Sequence, residues 1–342
     1  MSEMFATPKS MKKVILYRIR KALLEMGGAT KAELSEKLNI SFPTISKFLT
    51  QMEKDGELKL LGLDDSSGGR RAKRYAYNPE FRLGLAIFLE REETHYTIFN
   101  CLGEIKKQGK AGSVLTGGLP MLTACIEEIM DQYPKIRAIA IGVPGSVENG
   151  RIFFIPGYEQ FQQVDLKEYY ETHFSMPVVV ENDMNAAVLG YHREKTTQTN
   201  SSLIYLYFGQ NGPGAGILVN GNIVRGSTFF SGEISFVPQY NHQNFQEALG
   251  TNRSSGYSNQ QVDAISRLAA AFVSILNPHA IIFYEEEADE ALMEQISAQT
   301  AKYVPAEHLP ELIVSDLKQD YLYGLQSLGL DLIINETGLS ST

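Results

Sequence analysis

Between Met11 and Met26 the apolar residues Ile15, Ile19, Leu23 and Leu24 recur at spacings that put them on one helical face, and Gly27-Gly28 supplies the stop. Thr30 with Glu33 reads as a capping box opening a short second helix, whose apolar side is Leu34, Leu38 and Ile40. Ser41 stands where it can cap a third helix, with Pro43 in the first turn and Ile45, Leu49 and Met52 on the buried side; Gly56 ends it. The pattern then changes to two strand-like runs, ELKLLGL and AKRYAY, joined by DDSSGGRR, which predicts a β-hairpin.

Further along, LGLAIFL (83–89) and THYTIFNC (94–101) read as strands, followed by a helix over 118–132 and the strand IRAIAIGV running into a Val143-Pro144-Gly145 turn. PVVVE, a helix from Asn185, the strand SLIYLYF and a hairpin turning at Asn220-Gly221 come next. Strands and helices alternate to the end, so an α/β body with mixed sheets is expected. No repeat of about 20–50 residues is visible.

The 342 residues are 43% hydrophobic and 21% charged, ordinary globular values that suggest two or three domains. Two cysteines, Cys101 and Cys125, exclude a disulfide framework, and no CxxC pair offers a structural zinc site. No apolar run approaches the roughly 18 residues of a membrane span, and the opening MSEMFATPKSMKKV lacks the apolar core of a signal peptide. A cytoplasmic protein with no membrane partner is expected.

The net charge of −9 hides an asymmetry. Residues 1–78 hold 15 Lys and Arg against 9 Asp and Glu, a net of +6, which leaves −15 for the rest. A basic end on an acidic body suggests a nucleic-acid module. Ser41, Pro43, Thr44 and Lys47 lie on the side of the third helix opposite its apolar stripe, small or basic groups suited to a major groove. Arg70 and Arg71, beside two glycines at the hairpin tip, suit a phosphate or a narrow minor groove. Residues 1–78 therefore read as a winged helix-turn-helix domain binding double-stranded operator DNA, and 79–342 as a second domain. The rival is a three-helix adaptor binding protein, against which the GGRR tip and the basic balance weigh.

The winged segment ending GGRRAKRYAYNP, then IGVPGSVENG, VVVENDMNAAVLG, FGQNGPGAGILVNGNIVRG and SGEI, in that order, resemble the ROK family of sugar kinases and sugar-responsive repressors. The resemblance implies an actin-like, ribonuclease-H-like body of two lobes around a cleft, and the N-terminal winged helix implies the repressor branch. It also implies a sugar site: Asp183 matches the family's general base, Asn182 a sugar contact, Glu233 a sugar-binding glutamate, and Glu247 aligns with another. Asp183 equally suits an N-cap for the helix from Met184, and Glu247 a solvated charge.

The same resemblance shows what has changed. After the first body strand the kinases carry a DxGGT-like turn that meets ATP phosphates, whereas this chain reads FLEREETHY, with Glu90, Glu92 and Glu93. The late glycine pair is replaced by Tyr284-Glu285-Glu286-Glu287. Gly209, Gly212, Gly214 and Gly216 persist in a hairpin that reads as a tight backbone turn or as part of a nucleotide site. Phe236 stands at the histidine position of the family's zinc motif and the cysteines are gone, so no metal and no cofactor are expected. The expectation is a non-enzymatic transcriptional repressor of carbohydrate genes, sensing a sugar or sugar derivative and assembling as a homodimer or dimer of dimers. The rival is an active ATP-dependent sugar kinase with a regulatory head.

Overall fold

In the computed structural model of the chain, residues 8–64, 71–155, 157–209, 212–250 and 256–335 are described. The first segment carries α1 (Pro8–Met26), β1 (Ala29–Thr30), α2 (Lys31–Leu38), α3 (Phe42–Lys54), β2 (Leu58–Leu63) and β3 (Lys73–Tyr77), with the strands antiparallel in the order β1-β3-β2. Ile19, Leu23, Leu34, Ile45, Leu49, Met52 and Tyr75 are buried between them. The capping box forms: Thr30 N–H donates to Glu33 Oε2 at 2.7 Å, and Glu33 N–H donates to Thr30 Oγ1 at 3.2 Å. Ser41 occupies the N-cap of α3 but makes no side-chain bond to its backbone. Its hydroxyl pairs instead with Thr44 Oγ1 at 2.8 Å. A buried Arg20–Glu57 pair at 2.5 Å ties α1 to the chain entering β2.

The body begins with β4 (Leu83–Leu89), β5 (Glu93–Asn100), β6 (Ile105–Gly112), α4 (Gly118–Gln132), β7 (Ile136–Val143), the small hairpin β8 (Ser146–Glu148) and β9 (Arg151–Phe154), α5 (Leu166–Phe174), β10 (Val178–Asn182) and α6 (Asp183–Lys195). Their sheet runs β10-β7-β4-β5-β6, parallel from β10 to β4 and antiparallel thereafter. Next come β11 (Leu203–Tyr207), β12 (Gly214–Val219), β13 (Asn222–Ile223), β14 (Pro238–Gln239), β15 (Gln243–Asn244), α7 (Phe245–Leu249), α8 (Asn259–Leu276), β16 (Ala280–Tyr284), α9 (Glu290–Thr300), β17 (Glu311–Ser315) and α10 (Leu317–Ile334). The second sheet runs β13-β12-β11-β16-β17, again two antiparallel strands on one side of the founding strand and two parallel strands on the other. One plan is thus used twice, at a scale too large to register as a short sequence repeat.

All seven residues of β4 are buried, as expected of a continuous apolar run covered on both faces. The outer face of the first sheet packs against α4 and α5 through Leu122, Ile126 and Tyr170, and the outer face of the second against α8 and α9 through Ile265, Leu268 and Ile296. Between the sheets, α10 lies on the first and α6 on the second, and the two helices pack on one another; α10 also touches α1. Among the described residues no helix is long and apolar enough to cross a membrane.

Candidate functional site

On the first segment, Ser41, Pro43 and Lys47 are exposed on α3 and Thr44 is half-buried beside Ser41. Arg71 is exposed where the chain enters β3, and Arg70 lies outside the described residues. The sequence pattern did not single out Arg74, which turns inward: its guanidinium donates to both oxygens of Asp64 at 2.8 Å, to Glu33 Oε1 at 2.7 Å and to the Gly28 carbonyl at 3.0 Å. The guanidinium holds the Asp64 carboxyl below the ordinary range. For Glu33, the Thr30 N–H and then Arg74 do the same.

In the body, the turn after β7, the start of α6 and the loop between β13 and β14 enclose a cavity of about 310 Å³. Asn182, Asp183 and Glu233 meet there. The local chemistry differs from expectation in two respects. The N-cap of α6 is Asn182: its Oδ1 accepts the Asn185 N–H at 3.0 Å, while its Nδ2 donates to the Gly145 carbonyl at 3.0 Å and to Asp183 Oδ1 at 2.8 Å. The side chain expected to meet a sugar is therefore committed to holding the helix start, and the helix begins at Asp183, two residues before Asn185. Asp183 Oδ1 also accepts the Met184 N–H at 2.8 Å. Burial pushes the Asp183 carboxyl up to about 7, against the pull of the Met184 N–H and with a further push from Glu233.

Glu233 Oε1 accepts from Ser146 Oγ at 2.7 Å. Glu181, at the end of β10, accepts from Asn185 Nδ2 at 3.1 Å and pairs with Arg225, which also lines the cavity; sequence reasoning passed over both Ser146 and Arg225. Glu247 is not in the cavity. It is exposed, and its carboxylate closes a capping box with Asn244 at the start of α7, as the Asn-x-x-Glu spacing would have shown. Phe236 lies at the cavity mouth. Among the described residues no three His, Cys, Asp or Glu are grouped to hold a metal ion.

Residues 91–248 match the sequence profile of the ROK family. This stretch is a ROK domain. A xylose repressor of Caldicellulosiruptor bescii is 28% identical over 226 residues, 63% of this chain and 56% of its own length. A beta-glucoside kinase of Listeria monocytogenes is 32% identical over 139 residues, 40% of this chain and 45% of its own. A solved structure described as a ROK family transcriptional regulator, homolog of the E. coli Mlc protein, superposes with a TM-score of 0.71 at 18% identity, over 96% of this chain and 99% of that one. The superposition shows a shared α/β fold. The chain spans little more than half the length of the curated repressors it matches.

On the far side of Asp183 a second chamber, about 440 Å³, is lined by Glu90, Arg91, Glu92, Glu286, Lys318 and Tyr321 among others. In the turn after β4, Glu90 N–H donates to the Glu93 carbonyl at 3.0 Å. At the end of β11, the Phe208 N–H donates to Glu287 Oε2 at 2.8 Å. Gly216 in the glycine-rich hairpin passes so near α6 that a Cβ would lie 2.1 Å from the Met184 carbonyl oxygen, which accounts for that glycine by packing.

Proposed function

We propose that the chain is a DNA-binding transcriptional repressor with a ROK-type body that senses a carbohydrate and does not transfer phosphate. The observation that carries this reading is the chemistry of the two turns that flank a kinase's triphosphate. Phosphoryl transfer depends almost wholly on positioning and charge stabilisation, supplied by backbone N–H groups and cations. Here both turns bring carboxylates, Glu90 and Glu92 on one and Glu286 on the other, which outnumber the Arg91 and Lys318 cations sharing the chamber, and Glu287 already accepts an N–H.

Residues 1–78 act as a winged helix-turn-helix, with Lys47 and the Ser41–Thr44 end of α3 at the major groove and Arg70 and Arg71 on the wing. Residues 79–342 form the sensing and oligomerising domain. A two-fold operator requires two such heads one DNA turn or a multiple apart, so the working unit is a homodimer or a dimer of dimers. A route for coupling exists: Asp183 opens α6, α6 packs on α10, and α10 touches α1. A sugar that favours one arrangement of the body would shift the heads.

Selection of bound duplexes from a random DNA pool, followed by titration with a panel of sugars, tests this. A selected site that a sugar releases is the expected result. One feature favours the kinase alternative: Asp183, raised to about 7, lies between the two chambers as a general base would. ATP-dependent sugar phosphorylation that vanishes in Asp183→Asn would establish it.

A further inference from the structure

The mouth of the Asp183 cavity is aromatic. Phe236 and Phe154 line it while keeping 59% and 44% of their surface open to water, and Phe230, half exposed, packs its ring 5.3 Å from that of Phe236. Single exposed apolar side chains are ordinary, but a cluster joined to a cavity marks a binding surface. Phe229, also on the lining, holds a φ of +57°, a left-handed backbone that bulky side chains seldom adopt and that persists where surrounding structure enforces it, often at ligand clamps. Deeper in, the half-buried Asp183 and Glu233 offer carboxylate oxygens to hydroxyl groups.

We propose that the ligand of this cavity is a glycoside of two rings, one hydroxyl-rich ring held at Asp183 and Glu233 and a second ring laid with its apolar face against Phe236 and Phe154. The proposal rests on the reading of the cavity as a carbohydrate site. A pyranose directs hydroxyls outward around its edge and C–H groups to its faces, so one ring suits the carboxylates and the next suits phenyl faces, whose negative quadrupole attracts weakly positive hydrogens. Phenylalanine at position 236 has neither donor nor acceptor, so its contribution to a ligand is apolar contact alone. A single ring bound at the carboxylates would leave that surface wet. An aryl group at the second position presents the same kind of face as a sugar, and the two are separated by experiment.

Calorimetry on the full chain with glucose and xylose, then cellobiose and xylobiose, then p-nitrophenyl β-glucoside, provides the test. At least one two-ring ligand is expected to bind about tenfold more tightly than its one-ring counterpart. The tighter of the disaccharide and aryl arms identifies the second ring. That ratio should fall towards one when Phe236→Ala and Phe154→Ala are combined, and should survive in Phe236→Trp, which keeps an aromatic face. Both phenylalanines are well exposed, so these variants leave the core intact. Equal affinity for one-ring and two-ring ligands, or a ratio unchanged in the double variant, would overturn the proposal while leaving the carbohydrate reading standing. Binding of none of these sugars would remove both.

Discussion

Ser146 and Glu233, 87 residues apart in sequence, are joined across the cavity by a 2.7 Å hydrogen bond from the serine hydroxyl to the carboxylate. Ser146 belongs to the half built on the first sheet and Glu233 to the half built on the second, so one bond both closes the cleft and orients the carboxylate offered to a ligand. Removing the hydroxyl while keeping the backbone should loosen that orientation. Ser146→Ala is expected to weaken sugar binding by about three- to tenfold, the range of a hydrogen bond worth about 1 kcal/mol. Calorimetry with the best-binding sugar measures it, and unaltered affinity would show that Glu233 is held by other means.

The crossing of α6 and α10 is set by two glycines. A Cβ on Gly190 would lie 1.8 Å from the Asp320 carbonyl oxygen and 2.6 Å from the Gly324 nitrogen, and a Cβ on Gly324 would lie 1.9 Å from the Ala186 carbonyl oxygen. All of these are backbone atoms and cannot step aside. Nearby, Asp320 is fully buried, accepting from Tyr205 Oη at 2.9 Å and pairing with Lys195 at 2.7 Å, so the helices cannot slide without breaking that pair. Gly190→Ala or Gly324→Ala should each cost about 3 kcal/mol by overpacking. Denaturant unfolding of the purified variants decides it, and a loss below about 1 kcal/mol would mean that the helices separate more readily than the contact suggests.

Arg71 and Arg74 lie three residues apart yet should fail in different ways. Arg71 is exposed just before β3, on the loop side of the hairpin, whereas Arg74 is consumed by Asp64, Glu33 and the Gly28 carbonyl. Replacing Arg71 by Ala should weaken DNA binding on all sequences and reduce the slope of log K against log salt by about 0.9 per subunit for one lost phosphate contact. Replacing Arg74 by Ala should lower the thermal stability of the DNA-binding segment. Because Asp64 and Glu33 have lowered pKa values in the folded state, the stability they contribute is present above their unfolded values and is lost as pH falls. The Arg74→Ala deficit should accordingly shrink in acid. A salt slope unchanged in Arg71→Ala, or a deficit constant with pH in Arg74→Ala, would break the contrast.

Legibility from sequence followed burial. LGLAIFL and IRAIAIGV coincide with β4 and β7 residue for residue, because strands covered on both faces are near-continuous apolar runs, broken here only by the exposed Arg137 near the start of β7. The edge strand β6, IKKQGKAG, went unread: all but two of its residues are exposed, so pairing with β5 defines it rather than any hydrophobic alternation. At the site, Asn182 and Asp183 of the ENDMN string line one cavity, and the cap of α6 is Asn182. Assigning Asn182 rather than Asp183 as the cap depends on where the helix begins, and a shift of one residue exchanges the cap for the first helical position. For Glu247 the structure agrees with the alternative of a solvated charge: it is exposed and its partner is Asn244 in a capping box. Ser146 and Phe154 face one another across the β8–β9 hairpin, and Phe236 joins them only through tertiary contacts between the halves.

Asp183 should imprint itself on the pH dependence of stability. Burial raises its carboxyl to about 7 in the folded protein, while the unfolded chain releases the same proton near about 4. Between those values the folded state holds a proton that the unfolded state has lost. The contribution of this group to stability is therefore fully present below about pH 4, declines as pH rises towards about 7, and is flat above. Asp183→Asn cannot ionise and keeps an oxygen able to accept the Met184 N–H, so the variant should escape the decline. Melting temperatures of parent and variant, measured side by side from about pH 5 to pH 8, are expected to diverge in favour of the asparagine as pH rises and then run parallel. All other titrating groups are common to both proteins and cancel in the difference. A gap constant over that range would place the Asp183 carboxyl near its ordinary value and remove the physical basis for a general base at this position.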